Sequence, residues 1–233
     1  MSIYLALAVI WHTLVFSPSP QMLQGIVHGS STSGGGSNTF TTVQNTAIPS
    51  PNGSSYTGPS GTGNIATIIF TSDTGSDFTI SSISGGGTWV IPAGCHGGSG
   101  AIGFIACAYT LSTTAAATIT ITKSGASVTT ASIWEYTPSG TAALDGVGTC
   151  TISSGNPING CTPSLSGTND VIVQGIALAS AQASSVSVYG NMINHGGTVF
   201  SAEADLENSA STTPPSWTLT GASTGFGTLI AFK

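Results

Sequence analysis

Few residues in this chain can do chemistry, and their spacing narrows what that chemistry could be. Glu203, Asp205 and Glu207 alternate, so a strand would carry all three carboxyl groups on one face. Two carboxyl groups facing across a cleft could hydrolyse a glycoside, and oxygen-rich clusters can hold a cation. Three like charges on one face read first as a solvated edge that resists strand addition. His96 and His195 both precede Gly-Gly. They could meet at one end of a sheet, but loop histidines are the simpler reading, as they are for His12 and His28. Gly97-Gly98-Ser99-Gly100 lacks the strand-to-helix elbow that exposes a nucleophilic serine.

Glu135 stands between Trp134 and Tyr136, and a buried carboxylate there would accept hydrogen bonds from loop backbone. Asp145 precedes Gly146 and reads as a turn former. Asp73-Thr74-Gly75-Ser76-Asp77 offers oxygen ligands but falls short of a Ca²⁺ loop, and a β-turn is preferred. Trp217 follows Pro214-Pro215 and, with Tyr189, is the best candidate for an aromatic surface that stacks on surface glycans. Trp89 and Trp134 read as core, and Tyr56 is a further loop aromatic. Asn52-Gly53-Ser54 is a glycosylation sequon in a loop. No catalytic residue, metal site or cofactor is assigned.

The elements that would hold these groups are strands. Thr118-Ile119-Thr120-Ile121-Thr122 alternates as a strand with one buried face. From Val128 to Tyr136 both faces are apolar, with Ala131 and Ile133 on one and Trp134 and Tyr136 on the other. That pattern belongs to a central strand. With a turn at Lys123 to Ser127, the two strands read as a hairpin. Further strands are expected at Asn64 to Ser72, Phe78 to Ser84, Gly100 to Leu111, Asp170 to Ala179, Ser185 to Tyr189, Thr198 to Leu206, Ser216 to Leu219 and Phe226 to Phe232. Short strands between Gly- and Pro-rich turns, with no amphipathic helix, indicate an all-β antiparallel sandwich of jelly-roll type.

Composition excludes some partners. Charged residues make up 4% of the chain, where about 25% is ordinary. The only basic residues are Lys123 and Lys233, too few for nucleic acid or a polybasic membrane contact. Hydrophobic residues at 39% argue against disorder. Polarity comes from Ser, Thr, Asn and 32 Gly, a surface with little charge to oppose self-association. Cys95 with Cys107, and Cys150 with Cys161, form two local pairs. Disulfides are preferred over free thiols, which implies an oxidising, extracellular location.

The N-terminal stretch Ser2 to Phe16 is apolar and ends at Ser17-Pro18-Ser19-Pro20. A signal peptide would carry a basic start, and a membrane span needs about 20 apolar residues. The favoured reading is an arm or donor strand over residues 1–20, presenting Ile3, Tyr4, Leu5, Leu7, Val9, Ile10, Trp11, Leu14, Val15 and Phe16. Residues 21–63 read as a Gly/Ser/Pro-rich linker with short strands, one of them at Thr39 to Gln44, and residues 64–233 as the sandwich.

The order of segments from Asn64 to Lys233 resembles a β-sandwich domain of bacterial secreted and phage proteins. The resemblance rests on the buried strand Ile65 to Phe70, the run from Ile80 to Trp89, and the small-residue strand Ala101 to Tyr109. It continues through the ladder Thr118 to Thr122, Trp134-Glu135-Tyr136, Leu144-Asp145-Gly146, the strand Val171 to Ala179, and Ala231-Phe232-Lys233. It implies a surface or virion-associated module and carries no catalytic signature. The expected function is therefore a structural subunit of an extracellular or virion assembly. Copies of the chain would be its partners, joined by strand exchange through the arm. A secreted glycan-binding module and a secreted hydrolase are the alternatives.

Overall fold

The computed structural model describes residues 38–48, 55–72, 77–125, 128, 130–196 and 200–233. The arm from Ser2 to Phe16, His12, His28, the sequon at Asn52 and Asp73 lie outside these residues. Within them the chain is built of antiparallel strands, as its alternating patterns and Gly-rich turns require.

The strands fall into two sets of eight. The first set is β1 (Phe40–Ala47), β2 (Tyr56–Thr57), β3 (Ile65–Ser72), β4 (Phe78–Ser84), β5 (Gly97–Ser99), β6 (Gly103–Thr110), β7 (Thr118–Gly125) and β8 (Thr130–Pro138). The second is β9 (Leu144–Gly155), β10 (Ile158–Asn159), β11 (Asp170–Leu178), β12 (Ala183–Ser187), β13 (Gly190–Asn194), β14 (Ser201–Ser209), β15 (Ser216–Leu219) and β16 (Ser223–Phe232). A short 3₁₀ turn, Ala93–Cys95, precedes β5.

Each set folds the same way. In the first, a five-stranded sheet β1-β8-β3-β6-β5 is backed by a three-stranded sheet β2-β7-β4. In the second, the sheets are β9-β16-β11-β14-β13 and β10-β15-β12, the same order displaced by eight strands. First and last strands lie side by side in each set, which is a jelly-roll winding. The chain is thus a duplicated sandwich, a relation that strand-by-strand reading of the sequence missed. Its sequence trace is short: Ser60-Gly61-Thr62 leads into β3, and Ser166-Gly167-Thr168 leads into β11.

The four sheets stack as three, five, five and three strands, with an apolar core in each of the three gaps. Ile68, Phe70, Ile119, Ile121 and Ile133 fill the gap inside the first set. Ile172, Ile176, Trp217 and Leu219 fill the gap inside the second. The middle gap joins the two five-stranded sheets through Ile65, Ile69, Trp134, Tyr136, Val171, Val173, Ile230 and Phe232. Strands facing two gaps must be apolar on both sides, and β3 and β11 are buried along their whole length.

Two expectations change. The segments read as a hairpin are not paired with each other. β7 bonds to β2 and β4, while β8 bonds to β1 and β3 in the adjacent sheet. The residue patterns already differ in kind, since β7 buries one face and β8 both. The assignment of faces on β8 is as read, with Ala131 and Ile133 toward β7 and Trp134 and Tyr136 toward the second set. The pairing of β1 with β8 also carries the sheet back to Phe40, ahead of the boundary read near Gly63.

At the centre of the middle gap a glycine sets the spacing. A Cβ on Gly175 of β11 would lie 2.7 Å from Ile69 Cγ2 and 3.1 Å from Ile105 Cδ1. Gly175→Ala is expected to destabilise by about 1–3 kcal/mol through overpacking. Ile69→Ala, which removes that Cγ2, alone costs about 2–5 kcal/mol. Combined, the two should cost less than their sum, because each relieves the other. Urea unfolding of the three variants checks this.

Candidate functional site

Five of the eight acidic residues are buried, and their positions define the polar chemistry of the fold. Glu135 sits near the end of β8, where the loop before β3 folds over it. Its Oε2 accepts from Ser60 N–H at 2.8 Å, Ser60 Oγ at 3.0 Å and Gln44 Nε2 at 2.8 Å. Its Oε1 accepts from Gly61 N–H at 2.9 Å and Asn64 Nδ2 at 2.7 Å. Burial alone would raise its pKa, but these donors outweigh it and hold the carboxyl below the ordinary range. Glu135 is therefore the structural acceptor that its place between two aromatics suggested.

The second set has a counterpart. Asp145 of β9 lies under the loop before β11 and accepts from Ser166 N–H at 2.6 Å, Ser166 Oγ and Gly167 N–H at 3.2 Å. Lys233 Nζ lies 2.9 Å from Asp145 Oδ1. Asp145 is not the turn former it was read as, since its side chain is 1% exposed and gathers a loop. Burial would raise its pKa, yet the Ser166, Lys233 and Asp170 contacts push it far below the carboxylate range. Where the first set has Asn64 donating to Glu135, the second has Asp170, fully buried beside Asp145. Burial and the Asp145 charge raise Asp170 to about 7. No donor among the described residues reaches either of its oxygens.

Glu203, Asp205 and Glu207 do share a face of β14, but it is not a solvated edge. β14 lies between β13 and β11, and Glu203 and Asp205 point into the middle gap, 0% and 1% exposed. Tyr136 Oη, from the opposite sheet, donates to Asp205 Oδ2 at 2.9 Å. Thr42 Oγ1 of β1 donates to Glu207 Oε1. Asn208 completes the seam by accepting from Phe40 N–H at 2.6 Å and donating to Phe40 O at 3.0 Å. At the matching place on the other side of the gap, Tyr109 of β6 meets Phe232 of β16 edge-on, ring centroids 5.7 Å apart. One seam is polar and the other aromatic.

The histidines do not meet as a pair, because each has its own acid. His195 Nε2 lies 2.6 Å from Glu203 Oε2, both side chains buried. Burial disfavours the imidazolium, but the Glu203 charge outweighs it and raises the His195 pKa. His96 Nε2 lies 2.9 Å from Asp77 Oδ1, with its ring stacked on Phe104. Asp77 also accepts from Phe78 N–H at 2.7 Å. Among the described residues no group of three or more His, Cys, Asp or Glu could hold a metal ion.

The aromatics offered for glycan contact are inside. Trp217 is 0% exposed in the core between β11 and β15, because Pro214-Pro215 lead directly into a paired strand. Tyr189 is 6% exposed and its Oη accepts from Gln174 Nε2 at 3.0 Å. Both cysteine pairs are disulfides, Cys95–Cys107 with Cα atoms 5.4 Å apart and Cys150–Cys161 with 5.5 Å. Gln174 also holds the second disulfide loop, accepting from Cys161 N–H at 2.8 Å and donating to Cys161 O at 2.7 Å. Two open grooves flank equivalent edge strands. One, of about 400 Å³, is lined by Gln44, Gly58, Pro59 and Ala115 to Ala117 beside β1. The other, of about 380 Å³, is lined by Gly146 to Cys150, Thr162 and Ser164 beside β9.

Comparison with family models, curated proteins and solved structures returns no match. Among the described residues no helix is long and apolar enough to cross a membrane.

The seam gives the fold a pH dependence with a definite sign. Burial raises Asp205 to about 6. Its contribution to stability is complete below its unfolded pKa of about 4 and falls by up to about 1.4 kcal/mol per pH unit until pH 6. The raised pKa of His195 acts in the same direction: its contribution is full below its unfolded pKa and is lost as pH rises through the folded value. Asp205→Asn should flatten stability between pH 4 and pH 6 relative to wild type. Urea titrations across that range measure the difference.

Proposed function

We propose that this protein is a non-enzymatic structural subunit of an extracellular assembly, a filament, fibre or coat, whose copies join edge to edge through β-strand addition. The observation that carries the reading is β9. It is a 12-residue edge strand with one ladder partner among the described residues, β16. Edge strands are ordinarily protected by lysine, proline or a covering element. β9 contains no Lys, Arg or Pro, and its one acid, Asp145, is turned inward. β1 is the equivalent edge in the first set and, among the described residues, pairs with β8 alone. A groove lies beside each, touching β1 at Gln44 and β9 from Gly146 to Cys150.

Composition supports the same reading. Net charge is −6 over 233 residues, and with five acids buried little charge is left outside to repel a second copy. The disulfides suit an oxidising compartment. In this reading the donor is the apolar stretch Ser2 to Phe16 of a neighbouring copy. Each large side chain it buried would contribute about 1.5–3 kcal/mol, offset in part by ordering the arm. Glu135, Asp145 and Asp205 weigh against a hydrolase, because their lone pairs already serve loops and an opposing strand. A virion location rests on the resemblance alone.

The test is light scattering of the full chain over a range of concentrations. The wild type should associate. Thr151→Lys, at an exposed position on β9, should weaken association at least tenfold while leaving the circular dichroism spectrum unchanged. A wild type that stays monomeric at high micromolar concentration would sink the proposal.

A further inference from the structure

We propose that Lys233 and Asp145 react with each other to form an intramolecular isopeptide bond that staples β9 to the residue following β16. The geometry is that of a poised acyl transfer. Lys233 Nζ is 2.9 Å from Asp145 Oδ1 and 2.7 Å from Ser166 Oγ. Asp145 Oδ2 accepts from two consecutive backbone N–H groups, Ser166 at 2.6 Å and Gly167 at 3.2 Å. That is the arrangement of an oxyanion hole. Beside Asp145 lies Asp170, 0% exposed, with neither oxygen reached by a donor among the described residues. Raised by burial and by Asp145 to about 7, a carboxyl in that position can take up and release a proton near neutral pH.

The step balances without any outside reagent. The ion pair is the resting state, and in the minor population where Lys233 Nζ has passed a proton to Asp145 Oδ1 a neutral amine faces a neutral acid. Nζ attacks Cγ, and charge developing on Oδ2 is held by the Ser166 and Gly167 amides. Asp170 delivers its proton to the departing Oδ1 hydroxyl and takes the second proton released from Nζ. The Nζ–Cγ bond forms, the Cγ–Oδ1 bond breaks, one water leaves, and Asp170 ends as it began.

A maturation step of this kind happens once per molecule, so it need not be fast. Held at contact distance, paired groups react as if at about 10⁵ M or more. The half-exposed Lys233 leaves a path for the water to escape, while the 1% exposure of the Asp145 side chain shields the amide from hydrolysis. Backbone pairing fixes the reactants: Lys233 N–H donates to Ala143 O, and Ala143 N–H donates to Lys233 O, both at 2.9 Å. The duplicated site points the same way. Glu135 has the Ser60 and Gly61 amides and Asn64 in the matching places, but Gln44 where an amine would be needed. Only the second site combines an amine, an amide pair and an acid.

The experiment is intact mass spectrometry of the reduced full-length chain after incubation at pH 5, 6, 7 and 8. The wild type should be lighter than its sequence mass by one water, and proteolytic fragments should include a branched peptide joining residues 145 and 233. Lys233→Arg should keep the full mass, and Asp170→Asn should slow the loss at least tenfold while retaining the wild-type circular dichroism spectrum. A wild type that holds its full mass at every pH would overturn the proposal, as would a water loss that persists in Lys233→Arg.

Discussion

Everything in this fold depends on two five-stranded sheets approaching closely enough to share one core. The approach is set where Ile69 of β3 faces Gly175 of β11. An isoleucine on one side and no side chain on the other lets the strands interlock at the centre. Strands on either side then reach their partners: β14 lies over β1 and β8, and β6 over β16. Without that contact neither half could bury its five-stranded sheet on both faces, and a sandwich of this size with one wet apolar face would be poorly stable.

The duplication shows which positions the fold constrains and which it leaves free. The winding of the strands is the same in both sets. So is the device that closes the loop before the third strand, a carboxylate beneath a Ser-Gly-Thr turn. The carboxylate itself comes from the last strand in one set and from the first in the other, Glu135 against Asp145. Its neighbour is an amide in one and an acid in the other. The requirement is physical: two backbone N–H groups facing inward need a strong acceptor, and the acceptor's source is secondary. Variation on that constant frame gave the second site an amine and a second buried acid.

Much of the architecture was legible in the residues. β3, β7, β8 and β11 were found because β-branched runs with clear periodicity leave few alternatives. The two faces of β8 and the structural role of Glu135 followed from one residue's alternation. β9 was not found, although it is the longest of the described strands, because LDGVGTCTISSG is half-exposed and weakly patterned. Pairing of β7 with β8 does not hold, because a turn sequence does not say whether the chain doubles back or crosses to another sheet. The acidic row of β14 was placed on the correct face with the wrong surroundings. Periodicity fixes which side chains lie together, but what faces them comes from a strand 69 residues away in sequence, Tyr136 against Asp205. Trp217 was misplaced for the same reason.

The small number of charges takes on a different meaning once their places are known. A chain with eight acids and two lysines would be expected to keep all of them outside, where each improves solubility. Here five acids are inside, closing loops and bridging sheets. The outer surface is left to hydroxyls, amides and glycine backbone. Such groups hydrogen-bond to water, but they bond as readily to a neighbouring copy, since no ion has to be stripped of its hydration first. An edge strand set in that surface lacks electrostatic protection, and the chain beside it is held only at its ends, by the Cys150–Cys161 disulfide and by Asp145. The distribution of charge and the exposed edge of β9 are therefore two consequences of one arrangement, in which electrostatics is reserved for the interior and contact between molecules is left to backbone and neutral polar groups.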